Sequence, residues 1–359
     1  MTRTTIYLDH AATTPLRPEA REAMAHGFDI WANPSSPHAA GRRARAALED
    51  ARERILDRLK WDGELLFTSG ASEAAMLALG RAHGSERLLS AVEHDAVLAA
   101  APGAPRLAVL GDGAVDQEAL EAILARSRNP VVAIQSINSE TGNAQNLGDL
   151  VDCVHDAGGL IVADCSQSAG KYPLPHEVDM AILAAHKFGG PVGVGALLVR
   201  DYAMLDPAGG QERGYRRGTE NLPGILAMAA ALDACDYPYG PAGTYQAVMQ
   251  LADAVRAAGG HWLGDRLDTP SAYIHALAMP GLSGSAQLMR FDMAGIAVSQ
   301  GSACSSGSMR RSPVLTAMGI DDDLADRTIR LSTGWNTTVA EIERFAEIWL
   351  AMATQVRAT

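Results

Sequence analysis

Residues 64–200 alternate between two kinds of segment. The apolar runs "ELLFTS", "RLLSAV", "RLAVL", "PVVAIQSI", "GLIVAD", "DMAILAA" and "VGALLVR" have the length of strands. Between them lie "ASEAAMLALGRA", "DQEALEAILARS" and "LGDLVDCVHDAG", which read as helices. Strands this uniformly apolar need cover on both faces. The alternation predicts an α/β fold, a largely parallel sheet with helices on both sides. Upstream, "HAAGRRARAALEDARERILDRLK" reads as one long amphipathic helix, with Ala47, Leu48, Ala51, Ile55, Leu56 and Leu59 at helical spacing. Downstream, "LPGILAMAAALDAC" is a further helix with Pro223 near its start, and "DYPYGPAG" reads as a joint. Beyond about Thr244 the elements are smaller and mixed. The expected organisation is a large domain over 14–236 and a small α+β domain built from 1–13 and 237–359.

The 359 residues carry a formal net charge of -12, which argues against DNA or RNA as the direct ligand. No apolar run is long enough to span a bilayer, and the first residues lack a signal-peptide pattern. Cys153, Cys165, Cys235 and Cys304 show neither paired spacing nor a ligand-like spacing to histidine. No disulfide framework and no metal site is expected. The chain reads as a cytoplasmic enzyme acting on a small molecule.

In open α/β sheets ligands bind beyond the carboxyl ends of the strands. "ELLFTS" is followed by Gly70, Ala71, Ser72 and Glu73. "RLLSAV" ends in Glu93 and His94, and "PVVAIQSI" in Asn138, Ser139 and Glu140. "GLIVAD" ends in Asp164 before Cys165, Ser166 and Gln167, and "DMAILAA" ends in His186 and Lys187. Each has an ordinary reading: a helix cap, a structural histidine, a solvated lysine. Together they describe a phosphate cradle, an aromatic ring, a carboxylate and an amine. Pyridoxal phosphate uses all four. Its aldehyde forms a Schiff base with lysine, its ring nitrogen pairs with a carboxylate, and its phosphate suits a helix N-terminus. Glycines after Lys187 let the backbone turn close to such a ligand.

The segments "YLDHAATTP", "NPSSPH", "FTSGASEA", "VEHDAVL", "NSETG", "DCSQSAGK", "AHKFGGPVGVGALLVR", "GGQERGYRRGTEN" and "VSQGSACSSGS" occur in this order, followed by "IRLSTGWNTT". With them the chain resembles the cysteine desulfurases of the NifS/IscS type. These are class V aminotransferase-group enzymes of the fold-type I pyridoxal-phosphate class. The resemblance implies a mainly parallel mixed sheet between helices plus a smaller α+β C-terminal domain. It implies Lys187 as covalent anchor, Asp164 on the ring nitrogen, Gln167 on the ring hydroxyl and His94 stacked on the ring and assisting proton transfer. Ala71, Ser72 and His186 would hold the phosphate, and Thr219 would reach the phosphate of a second subunit, making a homodimer. Asn33 and Arg330 would hold the carboxylate of L-cysteine.

Cys304 lies among Ser302, Ala303, Ser305, Ser306, Gly307 and Ser308. Such residues make a mobile loop rather than a core, and they fit a functional thiol. Cys153 and Cys235 fit helical apolar patterns as small buried hydrophobes, and Cys165 reads as structural. In the implied reaction L-cysteine becomes L-alanine, and Cys304 as thiolate takes the sulfur as a persulfide for an acceptor or scaffold protein of iron–sulfur cluster assembly or thiolation. Met309, Arg310 and Arg311 beside it read as a solvated basic surface, with docking of an acidic acceptor as the alternative. Two positions depart from the family. Ser139 replaces an asparagine that contacts the ring hydroxyl and substrate, and Ala184 replaces a phosphate-binding hydroxyl, for which water or a neighbouring hydroxyl, Ser166 or Ser168, would substitute. Selenocysteine lyase, an aminotransferase of the same fold, and a weakly active partner-binding homologue stay open as alternatives.

Overall fold

The computed structural model describes residues 5–301 and 311–357. The chain begins with a short strand, β1 (Ile6–Tyr7), followed by helices Pro18–Asp29 and Ala39–Leu59. The second is the long amphipathic helix expected from spacing. His38 opens it, with Nδ1 accepting from the Gly41 amide at 3.1 Å, and Lys60 ends it in a left-handed conformation.

The main sheet comprises β2 (Glu64–Thr68), β3 (Glu86–Ser90), β4 (Arg106–Leu107), β5 (Pro130–Gln135), β6 (Leu160–Asp164), β7 (Met180–Ala184) and β8 (Gly195–Val199). Their order across the sheet is β2-β8-β7-β6-β5-β3-β4. Strands β7, β6, β5, β3 and β4 pair in parallel, whereas β8 is antiparallel to both β7 and β2. So β2 runs with the parallel set and β8 alone is reversed. The physical reason is the connection: residues 185–194 are too few for a crossover helix, so β7 and β8 join as a wide hairpin. Gly195 starts β8 because a Cβ there would lie 2.5 Å from the Leu183 carbonyl and 2.7 Å from Gly70 Cα. The close backbone approach is thus between the hairpin and the turn after β2.

Alternation along the strands separates two cores. Leu65, Phe67, Val132 and Ile134 pack with Leu48, Ile55, Val154 and Leu226 on one face. Leu66, Val131 and Ala133 pack with Ala74, Ala78 and Leu79 of helix Ala71–Arg81 on the other. Both faces are covered, as the apolar runs require. The run "RLAVL" is strand only over Arg106–Leu107; Val109 makes an isolated bridge to Val115. A short helix, Asp95–Ala100, occupies a stretch for which the sequence pattern indicated none.

Beyond the joint, helix Thr244–Ala257 leads to β9 (His261–Trp262), β10 (Ile274–Ala278), helix Gly284–Met293, β11 (Ile296–Ala297), β12 (Thr328–Ser332) and the terminal helix Val339–Arg357. Strand β10 pairs antiparallel with β9 and β12, while β1 pairs in parallel with β11. Leu8 packs with Val248, Leu251, Leu277, Phe291, Phe345 and Trp349 in a core of their own. The first residues of the chain are therefore held by its last third. Among the described residues, no helix is long and apolar enough to cross a membrane.

Candidate active site at the sheet edge

Strands β2, β3, β5, β6 and β7 end on one edge of the sheet, and that edge gathers most of the residues singled out from sequence. After β7 the chain makes a single 3-10 turn, Ala185–Lys187. Lys187 Nζ donates to the carbonyls of Ala11 at 2.6 Å and Ala12 at 2.9 Å. Gln167 Nε2 donates to the same Ala11 carbonyl at 2.9 Å, so the lysine and the glutamine converge on one atom. Asp164, the last residue of β6, accepts from the Ser166 amide at 2.9 Å. This bond fixes its carboxylate on the turn leading to Gln167.

His94 follows β3 and caps helix Asp95–Ala100, its Nδ1 accepting from the Ala96 amide at 3.1 Å. An Nδ1 that accepts places the proton of the neutral ring on Nε2. His186 Nδ1 lies 3.1 Å from Thr13 Oγ1. Burial, then Lys187, Lys171 and His94, pull the His186 proton affinity down to about 4, so its imidazole is neutral at pH 7. Ala71 and Ser72 open helix Ala71–Arg81. Gly70 precedes them with φ 147 and no side chain caps the helix end, which leaves its N-terminal amides facing the edge.

Arg330, on β12, is 4% exposed. Its Nη1 donates to the Ser139 carbonyl and its Nη2 to Asp9 Oδ1, both at 2.7 Å, while Nε is buried without a partner. Two expected residues are not drawn into this cluster. Asn33 is exposed and its side chain accepts from the Ser35 amide at 2.9 Å, capping its own turn. Thr219 is exposed on the loop before helix Leu222–Asp233 and hydrogen-bonds none of these residues.

Of the two hydroxyls expected to compensate for Ala184, Ser168 is committed: it accepts from Ser136 Oγ at 2.5 Å and donates to the Cys165 carbonyl. Ser166 Oγ is buried with no partner. Among the thiols, Cys165 and Cys235 are buried as expected, but Cys153 is only half-buried, with Sγ 3.7 Å from Glu121 on the neighbouring helix. Its helix turns that position toward the rim of the core rather than into it.

Cys304, with its serine-rich neighbours, Met309 and Arg310, lies outside the described residues. The flanks of that segment are described, and they meet at Glu140. A Cβ on Gly301 would lie 3.0 Å from Glu140 Oε2, and Ser312 Oγ donates to the same oxygen at 2.5 Å. Glu140 follows Ser139, whose carbonyl Arg330 holds. Arg311 pairs with Asp322 at 2.5 Å on the surface.

Three contributors were missed from sequence. The first is the segment Ala11–Thr14, whose carbonyls and hydroxyls hold Lys187, Gln167 and His186. The second is Asp9. The third is Lys171, which is 3% exposed with Nζ 5.6 Å from the Tyr239 ring centroid. Burial and the nearby Lys187 lower its proton affinity to about 7. A lysine that follows three small residues, Ser168, Ala169 and Gly170, was the available signal.

Comparison with known proteins gives the family. Residues 6–345 match the family model for class V aminotransferases. A cysteine desulfurase of Cereibacter sphaeroides is 38% identical, over 98% of this chain and 97% of that protein. Among solved structures, a NifS-like protein superimposes with a TM-score of 0.87 at 28% identity, covering 98% of this chain and 99% of that one. The structure of SspA in complex with cysteine has a TM-score of 0.77 at 28% identity, covering 91% and 98%. The chain belongs to the class V aminotransferase family, with the cysteine desulfurases as its relatives.

Proposed function

We propose that the chain is a pyridoxal-phosphate-dependent cysteine desulfurase. It converts L-cysteine to L-alanine and passes the sulfur to Cys304, from which an acceptor or scaffold protein of iron–sulfur assembly or thiolation draws it. The observation that carries the reading is the convergence of Lys187 and Gln167 on the Ala11 carbonyl at the carboxyl edge of a mainly parallel sheet. SspA, a structural relative, has been solved with cysteine bound.

The residues present fit the cofactor. Gln167 Oε1 and Ser166 Oγ are buried polar atoms without partners, so the site has hydrogen-bonding capacity that its own chain does not use. The helix end at Ala71 and Ser72, with neutral His186, suits a phosphate. Asp164 suits the ring nitrogen, His94 a ring face and Ser139, whose carbonyl Arg330 holds, a cofactor contact. Pyridoxal phosphate, when bound, supplies an electron sink for the charge left at the substrate α-carbon.

The protein supplies the rest. Lys187 would anchor the cofactor, and its amine would move the substrate α-proton. Arg330 holds the substrate carboxylate; Asn33, whose side chain caps its own turn, becomes the second contact only by giving up that bond. Cys304 attacks the substrate sulfur as thiolate: an S–S bond forms, the substrate C–S bond breaks with its electrons passing to the substrate carbon, and protonation there yields alanine. Thr219 completes the phosphate site of a partner subunit in a cytoplasmic homodimer. A large domain over 14–236 and a small one from 1–13 with 237–359 remains part of this reading, supported by the core that Leu8 shares with Leu251, Leu277 and Trp349.

The test is direct. Purified protein should show the visible band of lysine-bound pyridoxal phosphate, and Lys187→Ala should lose it. Wild type should yield alanine and sulfide from cysteine with a reductant, and Cys304→Ala should lose sulfide. No band, or sulfide output indifferent to Cys304, overturns the reading.

A further inference from the structure

One buried acid at the sheet edge has no place in the chemistry above. Glu93, between β3 and His94, is 4% exposed. Its Oε1 accepts from the Gln135 amide at 2.6 Å, and its Oε2 is buried with no partner. Gln135 stands in register with Asp164 on the adjoining strand. Neighbouring strands lie about 4.8 Å apart, so the Glu93 carboxyl sits one strand from a second carboxylate.

Two negative charges cannot share such a place cheaply. An ionised Glu93 would hold one amide hydrogen bond, one bare oxygen and a like charge beside it, away from water. A proton on Glu93 removes the repulsion and leaves the Oε1 bond intact. Burial and then Asp164 both push its proton affinity well above the usual range. The Gln135 amide and Arg106, on β4, act the other way. Arg106 is exposed, which weakens its opposition. His94 adjoins Glu93 on the same turn.

We infer that Glu93 is a positioning residue that stands as a neutral carboxylic acid behind Asp164. It ties the end of β3 to β5, sets the turn that presents His94, and leaves the negative charge at this point of the edge to Asp164. The inference rests on the reading of Asp164 as partner of the cofactor ring nitrogen.

Infrared spectroscopy of cofactor-free protein tests the protonation state without the cofactor. At neutral pH the wild type should show a protonated-carboxyl stretch that is missing from Glu93→Gln. In Asp164→Asn, with the neighbouring charge removed, that band should vanish at lower pH than in wild type. A spectrum unchanged by Glu93→Gln overturns the inference. The loaded protein gives the second readout. Glu93→Gln should hold the pH midpoint of the cofactor band within about 0.3 units, whereas loss of a charge one strand from Asp164 would move it by about one unit or more. A shift of that size also overturns the inference. If wild type forms no cofactor band at all, the proposed function fails, while the infrared result still decides the state of Glu93.

Discussion

Arg330 Nη2 and Asp9 Oδ1 are 2.7 Å apart, in an ion pair between the first and last parts of the chain. Asp9 bridges Ser332 through its backbone, so the carboxylate is held opposite the guanidinium. With Nη1 on the Ser139 carbonyl, a substrate carboxylate has to compete with groups already bound to Arg330. Asp9→Asn weakens the competitor and leaves a buried cation less compensated. The variant should unfold at lower temperature than wild type, and its KM for cysteine should fall, with kcat changed little. One charge-assisted hydrogen bond is worth about 1.5–3 kcal/mol, so Arg330→Lys should raise KM by about tenfold or more. Steady-state kinetics of both variants decide this; a KM that rises in Asp9→Asn removes Asp9 from the role of competitor.

Ser166 and Ala184 give a second prediction. Ser166 Oγ has no partner within the chain, whereas Ser168 is already bonded to Ser136 and Cys165. Of the two serines, Ser166 is therefore the one whose hydroxyl is available in place of the one Ala184 lacks. Ser166→Ala should weaken pyridoxal phosphate binding by about two- to tenfold, the span of a net hydrogen bond of about 0.5–1.5 kcal/mol. Ser168→Ala should leave that affinity nearly unchanged. Fluorescence titration of cofactor-free protein measures both, and equal losses would deny the distinction.

The edge was legible in sequence because each strand is an unbroken apolar run that stops abruptly at polar residues. Lys187, Asp164 and His94 could be placed on it without coordinates for that reason. The reversal of β8 follows from a short connection, and alternation alone did not show it. Helix Asp95–Ala100 was not, being too short to show a helical period. Asp9 could not be read as the partner of Arg330, since the two lie 321 residues apart and only the fold pairs them. Glu93 and Lys171 were hidden for a related reason: what sets their charge state is burial and a neighbour on another element.

Lys171 predicts a pH dependence of stability. Its amine titrates near 10.5 in the unfolded chain and at about 7 when buried in the folded protein. Between those values the unfolded chain holds a proton that the folded chain has released, so this residue makes stability rise with pH. Below about pH 7 the lysine is charged in both states and the burial cost is fully present. Lys171→Met should therefore be more stable than wild type at pH 6, and the gap should narrow as pH rises toward 10. Glu93 titrates with the opposite sign but is common to both proteins and cancels in the difference. Urea denaturation at several pH values measures the gap, and a gap independent of pH sinks the assignment.

Arg52 and Glu212 form a buried bidentate pair, at 2.9 and 3.0 Å, that anchors the loop leading to Thr219. Glu212 Oε2 also accepts from the Phe67 amide at 2.9 Å, and Arg52 lies over the Phe67 ring. Glu212 and Arg213 both have positive φ, at 47 and 54, a conformation that non-glycine residues hold only under constraint. The ion pair provides that constraint. Removing one partner of a buried pair costs about 3–5 kcal/mol, because the other charge remains. Glu212→Gln should lower the urea midpoint by the corresponding amount. It should also open the chain to trypsin at Arg213, Arg216 and Arg217 before the rest of the protein is cut. Replacing both partners with Met should recover much of the stability, since no charge is then stranded, but not the protection, since nothing holds the positive-φ turn. If the double variant is as resistant to trypsin as wild type, the loop is held by something other than this pair.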